Sequence, residues 1–202
     1  MPGARVSFVR VKPGNNMFQV RIHGRGGQGV VTAAELLSVA AFLEGKYAQA
    51  FPSFGSERMG APVVSYCRID EKDIRSREPI SAPDALIIQD PTLFHSVDVF
   101  NGLNPEGYIL INSRRSFEDL GIADFVANFP RDHISDVSAT ELAMKHVGRP
   151  VPNAALLGGF AAISGQIKLS SVEKAIKEKF PGDVGAANAA AAKEAYEITG
   201  GS

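Results

Sequence analysis

The residues best suited to chemistry in this sequence are Gly24, Arg25, Gly26, Gly27, Gln28 and Gly29. Their G-x-G-x-x-G spacing lets a backbone turn tightly and come close to a ligand. The helix expected next would offer unpaired N–H groups to an anion. A dinucleotide site would also need an acidic residue at the end of the second strand, to hold a ribose. That strand is predicted near Tyr47–Phe51 and ends at Pro52 without one. Glu44 instead stands at the end of the preceding helix, beside Gly45. The spacing thus argues against NAD. It leaves an anion site, or a turn whose glycines serve packing alone.

A second segment, Phe54 to Pro62, sets Glu57 and Arg58 between glycines and prolines. Phe54 and Met59 are poor choices for a free loop, so another chain is expected to cover it. A third, Asn112-Ser113-Arg114-Arg115, closes a predicted buried strand, where open α/β sheets place ligands. Two arginines there suit phosphate or carboxylate, or form an exposed basic pair. Asn153, after Pro152, is expected to cap a helix. His23, His95, His133 and His146 show no metal-ligand spacing; His23 adjoins the glycine turn. There is no G-x-S-x-G elbow and no P-loop lysine.

The elements that must position these residues follow from periodicity. Phe18, Val20 and Ile22 alternate with Gln19, Arg21 and His23, which predicts a strand over residues 17–23. A helix from about Gln28 to Glu44 is apolar around most of its circumference, so it is expected to be buried. Further strands are predicted at 63–69, 85–89, 107–111 and 132–137, with helices at 139–147, 153–164, 170–180 and 184–198. Ser170 with Glu173 reads as a capping box. The expected fold is α/β: a three-layer, Rossmann-like domain with a mainly parallel sheet and a helical C-terminal third. Residues 1–16 read as an extension set off by Pro13-Gly14-Asn15-Asn16, and 17–202 as one domain.

Composition narrows the function. The 202 residues are 45% hydrophobic and 21% charged, as in globular domains. Lys and Arg number 21 against 22 Asp and Glu, so the basic excess of a nucleic-acid binder is missing. Cys67 is the single cysteine, which rules out an internal disulfide, a cluster or a Cys-rich zinc site held by this chain alone. No apolar run reaches membrane-spanning length, and the N-terminus does not read as a secretory signal. The expected location is the cytoplasm, with no nucleic-acid or membrane partner.

The run Ile22 to Ala33 resembles the opening of the gamma subunit, or gamma domain, of 2-oxoacid:ferredoxin oxidoreductases, the pyruvate:ferredoxin oxidoreductase family. Phe54 to Val63 resembles the family's second signature, and Ile111-Asn112-Ser113 and Val151 to Gly158 its later landmarks. The resemblance runs in order from about Met17 to Tyr196; residues 1–16 depart from it. It implies a non-autonomous subunit of an enzyme that oxidatively decarboxylates a 2-oxoacid to an acyl-CoA, pyruvate being the default. It implies alpha, beta and delta-type partners and ferredoxin or another electron acceptor. Thiamine diphosphate with Mg would sit on the alpha and beta partners, and 4Fe-4S clusters on a delta partner or a fused domain. This chain would bind no cofactor alone, but would shape coenzyme A access. The residues carried over are Gly24, Arg25, Gly26, Gly27, Gln28, Gly29, Glu57, Arg58 and Asn112. The alternative is a free-standing nucleotide-binding or regulatory α/β domain.

Overall fold

A computed structural model describes residues 17–53 and 58–200. The elements run in this order: β1 (Phe18–Arg25), α1 (Val30–Leu43), β2 (Tyr47–Pro52), β3 (Pro62–Asp70), β4 (Ala85–Ile88), β5 (Tyr108–Asn112), α2 (Ala123–Val126), β6 (Ile134–Val137), α3 (Ala139–Val147), α4 (Asn153–Ser164), α5 (Leu169–Lys179) and α6 (Asp183–Ile198). The described strands form one six-stranded sheet in the order β2-β3-β1-β4-β5-β6. The pairings β1/β4, β4/β5 and β5/β6 are parallel, whereas β3 runs antiparallel to both β1 and β2. The expected α/β fold with a mainly parallel sheet and a helical C-terminal third is observed.

Strand alternation sorts two cores. Val20, Ile22, Ala85, Ile87 and Leu110 face a thick helical layer built from α1, α4, α5 and α6. Leu86, Ile88, Ile109 and Ile111 face a thinner layer, where Leu93, Val99, Leu103, Val126 and Phe129 come from short helices and loops. The third layer is thin because the chain between β4 and β6 is folded mostly in turns. Its helical pieces are α2 and 3-10 turns at Pro91–His95 and Arg131–His133.

Helix α4 is the centre of the thick layer. Leu156 and Phe160 are fully buried, and each such side chain contributes roughly 1.5–3 kcal/mol. Helix α6 approaches α4 at Gly158, where a Cβ would stand 1.8 Å from the carbonyl oxygen of Ala192.

Two expected boundaries move. Helix α1 begins at Val30, not Gln28, because Gly29 takes a left-handed conformation (φ 72°) at the cap. Helix α5 begins at Leu169, with Lys168 at the cap position and no side-chain cap bond, so Ser170 does not close it. The Lys168 N–H donates instead to Glu44 Oε1, at 2.6 Å, from the end of α1.

Replacing Gly158 by Ala should force α4 and α6 apart. Overpacking of this kind costs roughly 1–3 kcal/mol, or a fall in Tm of roughly 3–10 °C at this chain length. Thermal denaturation checks it; an unchanged Tm would contradict the packing described.

Candidate functional site

The strands β1, β4, β5 and β6 end together, and the glycine turn stands at that end. Each approach to the turn is made at a missing side chain. A Cβ on Gly24 would lie 2.6 Å from Val30 Cγ2 and 3.1 Å from Gln89 Cβ. A Cβ on Gly26 would lie 2.1 Å from the Arg58 carbonyl oxygen. Gly26 donates its N–H to Ala61 O (2.9 Å) and accepts from the Gly60 N–H (3.0 Å). The segment 58–61 is therefore laid on the turn, and Arg58, which is exposed, sits beside it. Glu57 and Phe54 lie outside the described residues.

Side chains then lock the turn. Gln28 Oε1 accepts the Arg25 N–H at 2.8 Å, and Gln28 Nε2 donates to Asp90 Oδ2 at 2.9 Å. The Arg25 guanidinium donates to Thr92 Oγ1 (3.2 and 3.0 Å) and to Gly60 O (3.0 Å), and lies 3.3 Å from Asp90 Oδ2. Partial burial acts to raise the Asp90 pKa. Hydrogen bonds from Thr92 and Gln28 and the charge of Arg25 outweigh it and hold this carboxyl below its usual 3.8. The N–H groups of Arg25, Gly26 and Gln28 are engaged within the protein. Among the described residues this leaves the N–H groups of Gly27 and Gly29, and the first turn of α1, to meet an anion. The turn therefore presents fewer donors than its six residues suggest.

Asn153 is not the cap of α4. It is the first helical residue, and Pro152 holds the cap position. Asn153 Oδ1 accepts the Ala154 N–H (2.8 Å), while Asn153 Nδ2 reaches Gly29 O (3.4 Å). It thereby brings the N-terminus of α4 against that of α1. Asn112 is buried, and donates to Gln89 O (2.9 Å) and Thr140 Oγ1 (2.8 Å) while accepting the Thr140 N–H (3.2 Å). It ties the ends of β4 and β5 to the start of α3. Arg114 pairs with Glu141 at 2.7 Å and Arg115 donates to Asp119 O, so each is engaged by its own surroundings.

Gln89, Asp90, Thr92 and the linking role of Asn153 escaped the sequence. Asp90-Pro91 reads only as the end of a strand, and no local spacing links Gln28 to a residue 62 positions away. Gln89 is 1% exposed. Its N–H donates to His23 O at 2.7 Å, yet among the described residues neither side-chain amide atom has a partner. A buried polar group in that condition costs roughly 1–3 kcal/mol.

His23 lies on the opposite face of β1. Its Nε2 accepts from Arg21 Nε at 3.0 Å. Burial, with the neighbouring Arg21 charge, pushes its pKa from 6.5 down to about 3, so the ring is neutral at pH 7. Cys67 is fully buried, and burial pushes its thiol pKa upward, which makes it a poor nucleophile or ligand. No group of three or more His, Cys, Asp or Glu suited to a metal occurs among the described residues.

The neighbour of β1 argues further against NAD. In a dinucleotide fold a parallel second strand carries the ribose-binding acid beside the first. Here antiparallel β3 takes that place and β2 lies at the sheet edge.

Fold and turn together define an α/β module with two helix N-termini and a glycine turn at one end of its sheet. The chain belongs to the pyruvate ferredoxin/flavodoxin oxidoreductase family, whose model matches residues 19–198. It is 48% identical over 183 residues to the pyruvate/ketoisovalerate oxidoreductases common subunit gamma of Pyrococcus furiosus, covering 91% of this chain and 97% of that one. A crystal structure of pyruvate oxidoreductase subunit PORC from Thermotoga maritima is 34% identical with a TM-score of 0.76, covering 91% of this chain and 97% of that one. The fold also matches a 2-oxoglutarate:ferredoxin oxidoreductase from Magnetococcus marinus with 2-oxoglutarate, coenzyme A and succinyl-CoA bound. There the identity is 15% and the TM-score 0.63, covering 92% of this chain and 31% of that one.

The depressed His23 pKa has a consequence for stability. Between pH 6.5 and about 3 the unfolded chain binds a proton that the folded chain refuses. Stability therefore falls as pH falls through 6.5 toward about 3. His23→Gln should flatten that slope, as read by Tm at a series of pH values. Equal slopes for the two proteins would mean that His23 protonates without unfolding.

Proposed function

We propose that this chain is the gamma subunit of a cytoplasmic, multi-subunit 2-oxoacid oxidoreductase, with pyruvate as the default substrate. The observation that carries this is the 48% identity over 183 residues to a gamma subunit matched along 97% of its length. The enzyme would decarboxylate the oxoacid, pass two electrons to ferredoxin or another acceptor, and transfer the acyl group to coenzyme A. Thiamine diphosphate with Mg supplies the carbanion chemistry, and 4Fe-4S clusters carry the electrons. The described residues of this chain do not fit a cluster, since Cys67 stands alone and buried. Both cofactors are assigned to alpha, beta and delta-type partners.

The work of this chain is binding. The N-termini of α1 and α4 carry partial positive charge, and the Gly27 and Gly29 N–H groups lie beside them. This end of the sheet suits the phosphates of coenzyme A. Arg25, Gln28, Gly24 and Gly26 hold the turn in shape, Asn112 holds the strand ends, and Arg58 offers a charged fork at the rim. Glu57 is assigned to orienting Arg58 or to pairing across a subunit boundary.

Exposed Phe42, Tyr47 and Met59 suit burial against partners. Expressed alone the chain should be poorly soluble; co-expressed with its partners it should elute in one complex. A stable, monodisperse monomer on size exclusion would count against the subunit assignment. In the complex, Arg58→Ala should weaken apparent coenzyme A affinity while assembly is kept. A charge-assisted contact is worth about 1.5–3 kcal/mol, or roughly ten- to a hundred-fold. Unchanged affinity and turnover would make Arg58 a surface residue only.

A further inference from the structure

Gln89 is placed like a binding residue, and among the described residues no hydrogen bond uses its side chain. It follows β4 directly, so its side chain leaves the sheet on the same face as Ala85 and Ile87, toward α1 and α4. Its backbone is fully engaged, by His23 O on one side and Asn112 Nδ2 on the other. The side chain is thus not needed to fix the strand. The start of α1 is close by, because Val30 and Gln89 both crowd the same point beside Gly24. Helix α4 begins at Asn153, against Gly29. Neither helix, of 14 and 12 residues, has a side-chain cap.

The chemistry of the missing partner follows from what is unsatisfied. Gln89 lacks both an acceptor for Nε2 and a donor for Oε1. A phosphate or carboxylate would satisfy the first and leave the second. Two successive secondary amides satisfy both, the C=O of one accepting from Nε2 and the N–H of the next donating to Oε1, because a single trans amide points its N–H and C=O in opposite directions. The helix N-termini alongside favour an anion. The matching ligand therefore carries two successive amides close to an anionic group.

We propose that Gln89 is a ligand-binding residue that pairs with two successive secondary amides of the bound molecule, while the N-termini of α1 and α4 take the adjacent anion. This rests on the assignment of the site to coenzyme A. It adds that the pantetheine arm, with its two amides next to the pyrophosphate, lies in the Gln89 slot.

The test uses the assembled complex and three probes: coenzyme A, pantetheine and inorganic pyrophosphate. Gln89→Met keeps the length of the side chain and removes both polar atoms. Calorimetry should show coenzyme A and pantetheine weakened by roughly ten-fold, with pyrophosphate unchanged. The ligand-free complex should melt no lower than wild type, because an unpartnered amide has been removed. Gln89→Glu, close to isosteric, should weaken coenzyme A more than pantetheine, since it sets a carboxylate beside the anion. The proposal is overturned if Gln89→Met weakens pyrophosphate as much as coenzyme A, if it weakens neither, or if the ligand-free complex loses stability. Arg58→Ala run in parallel separates the two levels. If Arg58→Ala weakens coenzyme A and Gln89→Met does not, the site assignment stands and the Gln89 slot falls. If the wild-type complex binds coenzyme A and Arg58→Ala is also silent, the site assignment itself falls.

Discussion

Four segments crowd the Gly24–Gly29 turn where side chains would otherwise stand. The start of α1 and the end of β4 meet at Gly24, the 58–61 segment lies on Gly26, and Asn153 presses on Gly29. A methyl group at any of these positions would stand 2.1 to 2.6 Å from a heavy atom of another segment. The position of α1 on the sheet, the course of the Arg58 loop and the meeting of α1 with α4 all depend on that absence. The hydrogen bonds of Arg25, Gln28 and Asp90 then hold what the glycines permit. Glycine here is a packing requirement, and it leaves the Gly27 and Gly29 N–H groups without an internal partner among the described residues.

The two faces of β1 divide the labour. On the thick side, Val20 and Ile22 are fully buried under helices. On the thin side, Arg21 is buried too, and its guanidinium donates to the carbonyls of Ile80, Val99 and Asn101. Desolvation lowers its pKa, with Tyr66 and Asp98 opposing. This arginine fastens the loops that replace a regular helical layer, and its charge adds to the burial that holds the His23 pKa down. Arg25, four residues on, makes the corresponding link at the glycine turn, to Thr92 and Gly60. One alternating strand therefore supplies core on one face and cation clamps on the other.

Much of this was legible in the sequence. Alternation at Phe18, Val20 and Ile22 located β1, apolar runs located β4 and β5, and the small-residue run 153–164 located α4. Periodicity reports which face a residue occupies, not which strand lies beside it. The insertion of antiparallel β3 between β2 and β1 was therefore hidden, although Val63 to Ile69 was plainly a strand. The Ser170 capping box failed for a similar reason: Glu44, 124 residues earlier, meets the Lys168 N–H. At the site, the glycine spacing was visible, as was the candidacy of Arg58. Gln89 and Asp90 were not, because a polar pair ending a strand looks like any turn until its long-range surroundings are known.

The partners of the turn lie far apart along the chain. Gly60 is 35 residues from Arg25, Asp90 is 62 from Gln28, and Asn153 is 124 from Gly29. Closing such loops is entropically expensive and slow compared with forming the β2–β3 hairpin or the local helices. This end of the sheet is complete only with the C-terminal helices docked, because Asn153 at the start of α4 meets Gly29. A chain stalled before α4 packs lacks the second helix N-terminus, although residues 18–70 already contain the bonds that lay the 58–61 segment on Gly26. The finished arrangement of this end consequently reports that the whole domain, from β1 to α4, has folded.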